Sequence, residues 1–169
     1  MEFIKRILRE KYLNWRLNRL KANKAPQDFS QVLKKVRHIL VIIPPNMTME
    51  TIMPRFIPRL YEVFGENIRI STFEKNTFRK EDSTWLGLPK DEYLDIFRTE
   101  QIDLIIDLNE WEDMFCTYVC ALIPAPLKVN LAEGGAYDHI YNLHIRTTRS
   151  KSLDGKLDTL TGYFKTLMS

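Results

Sequence analysis

Glycine is scarce in this 169-residue chain, with six in all, and none lies between the first long apolar run and the helix that follows it. Neither a GxGxxG turn nor a GxxxxGK[ST] loop is present, so the backbone cradle of a dinucleotide or P-loop nucleotide site is excluded. Cysteine is scarcer: Cys116 and Cys120, four residues apart in MFCTYVCALI, are the only two. A stable zinc site takes about four ligands, and no histidine stands at a matching spacing. In that apolar setting the pair reads as buried free thiols. No cofactor or metal is expected. No apolar run approaches the roughly 20 residues that cross a bilayer, and residues 1–21 are too charged for a signal peptide. The chain is expected in the cytoplasm, where a disulfide would be kept reduced.

What is present is ordinary for a globular domain, with 44% apolar and 28% charged residues. The charge, however, is unevenly placed. Residues 1–38 hold eleven Lys and Arg against three Asp and Glu, whereas residues 39–169 hold fourteen against nineteen. The whole basic surplus lies at the front.

Hydrophobic periodicity divides the chain into a basic leader helix with its connector, 1–35, and a main domain, 36–169. Residues 2–21 lack Gly and Pro and read as a helix. Phe3, Ile4, Ile7, Leu8, Tyr12 and Trp15 share one broad face, Leu13, Leu17 and Leu20 drift to another, and Lys5, Arg6, Arg9 and Arg16 crowd the side opposite the first. HILVII, 38–43, is a β-branched run of the kind covered on both faces. A helix follows from about Glu50 to Phe64, kinked or late-starting because of Pro54 and Pro58, with Gly65 as its stop. IRISTF, 68–73, reads as the second strand. In the polar stretch 74–90, a Trp85-Leu86-Gly87 island is expected to pack down as an anchor. Further elements are a helix at 91–100, a strand at 102–108, a helix from about Trp111 to Ile123, strands at 127–131 and 142–145, and an amphipathic helix over 153–168. Strands alternating with helices predict an α/β fold: a single Rossmann-like three-layer domain, its sheet mostly parallel, with the basic helix as an N-terminal addition.

Within this order, Ile39-Leu40-Val41-Ile42, the loop 44–49, Leu60-Tyr61-Glu62-Val63-Phe64, Ile102–Leu108 and Ala125-Pro126-Leu127-Lys128-Val129 resemble the N-terminal domain of the family 9 glycosyltransferases, the lipopolysaccharide heptosyltransferases. The chain also resembles short uncharacterised bacterial proteins with the same leader helix, Trp-x-Gly island and closing helix. The resemblance implies half of a GT-B fold. It also implies a Gly-Asp pair in the first loop, whose carboxylate serves as base on the acceptor hydroxyl. Here that pair is Thr48-Met49, with Glu50 one position late. A shift of one residue at a helix start turns a side chain by about 100°, and a base must reach its proton. The family's donor-binding C-terminal half has no counterpart in these residues.

Ligands of open parallel sheets settle outside the carboxyl ends of the strands. Those ends offer Asn46, Thr48 and Glu50, then Asn109 and Glu110, then Asn130 and Glu133. Such residues either hydrogen-bond a sugar or other small polar ligand, or they cap and complement helix starts, with Thr48 and Asn109 as caps. Asp107, Glu110, Glu112 and Asp113 read as a solvated helix start. Gly134-Gly135 reads as a turn or a ligand loop, and His38, His139 and His144 as structural or exposed.

Two functions are compatible with these features. One is a non-catalytic module that binds a small ligand or a protein, including a second copy of itself. The other is an active transferase of envelope polysaccharide synthesis, with Glu50 as base and its donor half on a separate chain. The leader helix either packs on the domain's flank or lies on an anionic membrane surface through residues 1–21, placing the chain peripherally at the inner membrane. A nucleic-acid partner is disfavoured by the acidic main body.

Overall fold

The computed structural model describes residues 1–22, 28–132, 134–146 and 151–169. Its centre is β1 (His38–Ile43), in which all six residues are buried. Successive side chains of a strand point to opposite faces, and here neither face meets water. Ile39, Val41 and Ile43 join one apolar layer, and Leu40 and Ile42 join the other. The remaining strands are β2 (Arg69–Glu74), β3 (Leu104–Asp107), β4 (Leu127–Asn130) and β5 (Leu143–His144), and they run in the order β2-β1-β3-β4-β5. Every pairing among them is parallel. The fold is therefore the expected three-layer α/β domain, with a fully parallel sheet among the described residues.

One face of the sheet carries α2 (Phe29–Lys34), α3 (Met49–Phe64) and α6 (Leu153–Met168), whose buried side chains Leu33, Phe56, Leu60, Leu157, Leu160 and Phe164 close a single cluster. The other carries α1 (Glu2–Arg19), α4 (Asp91–Thr99) and α5 (Met114–Leu122) over Leu40, Ile42, Phe73 and Ile105. Pro54 and Pro58 interrupt α3 without ending it. They stand one turn apart on the exposed side, where water can take up the backbone carbonyls they leave unbonded. Gly65, at φ +83°, stops the helix as anticipated.

Two expectations change, and the docking face of the leader helix is settled. The closing strand-to-helix segment begins its helix at Met114 rather than Trp111, because Asp113 accepts hydrogen bonds from the Phe115 and Cys116 amides and so fixes the N-cap. The Trp85 island does not pack down as a unit: Leu88 is buried and Leu86 packs against the core, but Trp85 is 68% exposed. In α1 it is the narrower stripe that docks. Leu13 and Leu17 are buried against α5, while Ile4, Leu8 and Trp15 of the broad face stay exposed. Two hydrogen bonds fasten that docking. The Tyr137 hydroxyl donates to Asn14 Oδ1 at 2.7 Å, and His139 Nε2 lies 3.1 Å from the Leu17 carbonyl. No described helix is long and apolar enough to cross a membrane.

The two faces of α1 give a stability test. Leu17→Ala is expected to cost about 2–5 kcal/mol, as for other buried leucines, whereas Ile4→Ala should stay within about 0.5 kcal/mol of the parent. Urea unfolding of the two variants checks this, and equal losses would contradict the orientation described.

Candidate functional site

The chain leaves β1 through α3 on one face and comes back to β3 through α4 on the other. The strands on either side of that junction therefore send their following loops in opposite directions, and a crevice opens between them. Pro44, Pro45, Asn46 and Met47 form one wall and Asn109, Glu110, Trp111, Glu112 and Asp113 the other, around a cleft of about 360 Å³. Of the residues singled out from sequence, Asn46, Asn109 and Glu110 come together here. Thr48 stands aside as the N-cap of α3, its Oγ1 accepting from the Thr51 amide at 3.3 Å. Glu50 is exposed on the first turn of α3 and is not part of the cleft lining. Glu133 lies outside the described residues.

The acidic run is not a solvated helix start, because each of its carboxylates is engaged. Asp107 ends β3 and is only 3% exposed. It accepts from the Tyr141 hydroxyl at 2.6 Å, from the Asn109 side-chain amide at 2.6 Å and from the Asn109 backbone at 3.0 Å. Burial pushes its carboxyl above the ordinary range and outweighs those hydrogen bonds, which favour the charged form. Asn109 is not the helix cap: Asp113 is the N-cap of α5, and the Asn109 side-chain amide donates to Asp107, two residues back.

Glu110 pairs with Lys156 of α6, bracing the crevice against the opposite layer. Glu112 accepts from the Tyr137 amide at 3.1 Å. A Cβ at Gly135 would sit 1.9 Å from the Glu112 Oε2, so any larger residue there would displace that carboxylate. Asp113 caps α5 and meets Lys75 at 2.6 Å. Its burial would raise its pKa, but the Lys75 ammonium and the capping amides prevail and hold the carboxyl below the usual range.

Three of the engaged partners, Lys156, Lys75 and Tyr141, went unnoticed in the sequence. Lys156 had a signal, since it stands three residues after Leu153 and four before Leu160, on the apolar stripe of α6. Lys75 and Tyr141 come from distant loops and had none. Trp111, an aromatic among acids, is 63% exposed at the cleft. Behind the cleft, Lys128 is buried and donates to the Cys120 carbonyl at 2.7 Å, and its burial lowers its pKa. Cys116 and Cys120 are free and buried, as expected. Burial first, and then the nearby Asp107, pushes both thiols well up, so neither is a thiolate nucleophile at neutral pH. His38 holds the far end of the sheet, its ring between the Glu100 carbonyl at 3.0 Å and Ser71 Oγ at 2.8 Å.

A doubly wound α/β domain with a polar cleft at its switch point is the class these features define. The chain belongs to a family of unknown function, DUF6913, whose model matches residues 9–167. No curated protein matches it.

The two buried carboxylates predict opposite pH effects. Asp107 has its folded pKa raised above the unfolded value of about 3.9. The stability tied to its proton is complete below that value and is lost as pH rises toward the folded pKa. Asp107→Asn, which keeps an acceptor, should therefore flatten the stability profile above about pH 4. Asp113 has its folded pKa lowered, so its contribution is present above about pH 3.9 and fades as pH falls through the folded value. Asp113→Ala should cost about 1–2 kcal/mol at pH 7, with the deficit shrinking below pH 3. Urea unfolding across pH reads both, and profiles parallel to the parent's would refute the assignments.

Proposed function

We propose that this domain is a non-catalytic module that binds a small polyhydroxylated ligand, such as a sugar unit, in the cleft between the loops after β1 and β3. The observation that carries this reading is the exposed Trp111 ring on a cleft shared with Asn46, Asn109 and Glu110. An aromatic face beside amide and carboxylate groups suits a ligand with one apolar face and hydroxyls at its rim. The cleft volume is also within the range of small-molecule sites, roughly 300–1,000 Å³.

The lack of catalysis in this reading rests on how the carboxylates are occupied. Those in the cleft are tied to Lys156, Lys75 and backbone amides, and Glu50, the base of a working transferase, stands on the outer side of α3. The kinship with the front half of family 9 glycosyltransferases belongs to the same proposal. It rests on the strand motifs and supports a sugar as the ligand class. A transferase completed by a donor-binding partner is the competing reading.

A thermal-shift panel of monosaccharides and of ADP-, UDP- and GDP-sugars tests both. A ligand held at 100 times its Kd stabilises the fold by about 2.7 kcal/mol. Sugars are expected to raise the melting temperature, and Trp111→Ala should weaken their binding about tenfold, roughly 1.4 kcal/mol. A shift with nucleotide-sugars alone would favour the transferase. No shift with any member would remove the cleft as a sugar site.

A further inference from the structure

The exposed side of α1 is apolar where a flanking helix would be expected to be polar. At about 100° per residue, Ile4, Leu8 and Trp15 lie on one line, opposite the Leu13 and Leu17 side that docks on α5. They are 60%, 43% and 48% exposed. Arg19 lies over the Trp15 ring, 4.6 Å from its centroid. Within Glu2–Arg19, six Lys and Arg face two Glu. The first turns of α1 also overhang the loop that carries Trp85, forming a groove of about 690 Å³. Its wall includes Phe3, Lys5, Arg6, Arg9, Lys80 and Trp85, and Glu2 is its single acid among the described residues. The groove opens on the side of α1 that carries Lys5, Arg6 and Arg9, away from the stripe, and the cations beside the stripe itself are Lys11 and Arg19.

We propose that this end is an interfacial anchor for an anionic lipid surface. Ile4, Leu8 and Trp15 enter the boundary between headgroups and acyl chains, while Lys11 and Arg19, which flank the stripe on α1, lie against the headgroup phosphates. Such a surface rewards both halves of the pattern, because it offers apolar depth and negative charge together. Tryptophan is also the side chain that settles at that boundary. A second copy of the chain fits less well, since its stripe carries the same flanking Lys11 and Arg19 and offers them no negative charge. A nucleic acid offers phosphates but nothing in which to bury Ile4 and Leu8, and residues 39–169 are net acidic.

The test is flotation of the full chain with vesicles of phosphatidylcholine alone and of phosphatidylcholine mixed with phosphatidylglycerol. The expected result is binding to the anionic vesicles only, weakened by salt. Ile4→Ser/Leu8→Ser should lower that binding by about tenfold or more, and its thermal melt should match the parent's because both positions are exposed. Lys11→Gln and Arg19→Gln should each cost about fivefold. With Trp85 and Trp111 replaced by Phe, Trp15 emission should shift to the blue on anionic vesicles.

Equal flotation with neutral vesicles, or no flotation of the folded parent, overturns the proposal. So does binding that Ile4→Ser/Leu8→Ser leaves intact. A dimer in sedimentation equilibrium that Leu8→Ser dissociates, with no vesicle binding, would assign the stripe to a second copy instead. Binding to duplex DNA but not to vesicles would overturn the lipid assignment in favour of a polyanion.

Discussion

The constraint behind this architecture is that β1 has no face left for water. A strand of His38, Ile39, Leu40, Val41, Ile42 and Ile43 must be covered above and below and paired at both edges. Parallel neighbours need crossovers, and crossovers bring helices. With β2 on one side and β3 on the other, the chain supplies α3 to one face and α4 to the other. The opening between the loops after β1 and β3 follows from that division. The cleft is a consequence of covering the central strand twice, and it exists whatever side chains the loops carry.

What the loops carry decides whether the opening is a site or only a gap. Carboxylates gathered at strand ends would repel one another if left bare, and here they are separated by partners. Asp107 turns inward to Tyr141 and Asn109, Glu110 reaches α6 through Lys156, and Asp113 binds α5 and Lys75. These ties join both helical layers to the rim, so the cleft is held in shape by the same charges that might have served as catalysts. A carboxylate already paired with an ammonium and backbone amides is a poor base, since its proton affinity is lowered. Asp107 goes the other way, but it is enclosed. On the reading proposed above, the ties that hold the cleft in shape also occupy its carboxylates, which suits recognition better than turnover.

Much of the fold was legible in the sequence because the core is periodic. The β-branched runs at 38–43 and 102–108 and the Leu153, Leu157, Leu160, Phe164 spacing mark their elements without help from distant residues. Alternation alone predicts a mostly parallel sheet between helical layers, whereas the strand order and the assignment of each helix to a face come from the structure. The site was only partly readable. Asn46, Asn109 and Glu110 follow from the rule that ligands meet strand ends. Their partners Tyr141, Lys75 and Lys156 lie 30 or more residues away in sequence, and no local pattern encodes which carboxylate each will meet. The misjudged helix start at Trp111 has the same cause. Asp113 and Asn109 are both good caps by residue type, and only the demand of buried Asp107 for donors decides between them.

The leader helix illustrates a different limit. Its broad apolar face looks like the packing face, since it holds more and larger side chains than Leu13, Leu17 and Leu20. Packing, however, requires only that the facing surface be filled, and the groove over α5 accepts the narrow leucine stripe. Burying Ile4, Leu8 and Trp15 instead would have removed more apolar area from water. Their exposure is therefore a net cost to the isolated domain, of the order that burial of a few such side chains would have stabilised it. A chain that keeps this apolar surface outside, flanked by Lys11 and Arg19, has a helix whose inner stripe serves the fold and whose outer stripe does not. The charge asymmetry read from the first 38 residues then acquires a location, because it sits on the one element whose apolar demand the fold leaves partly unmet.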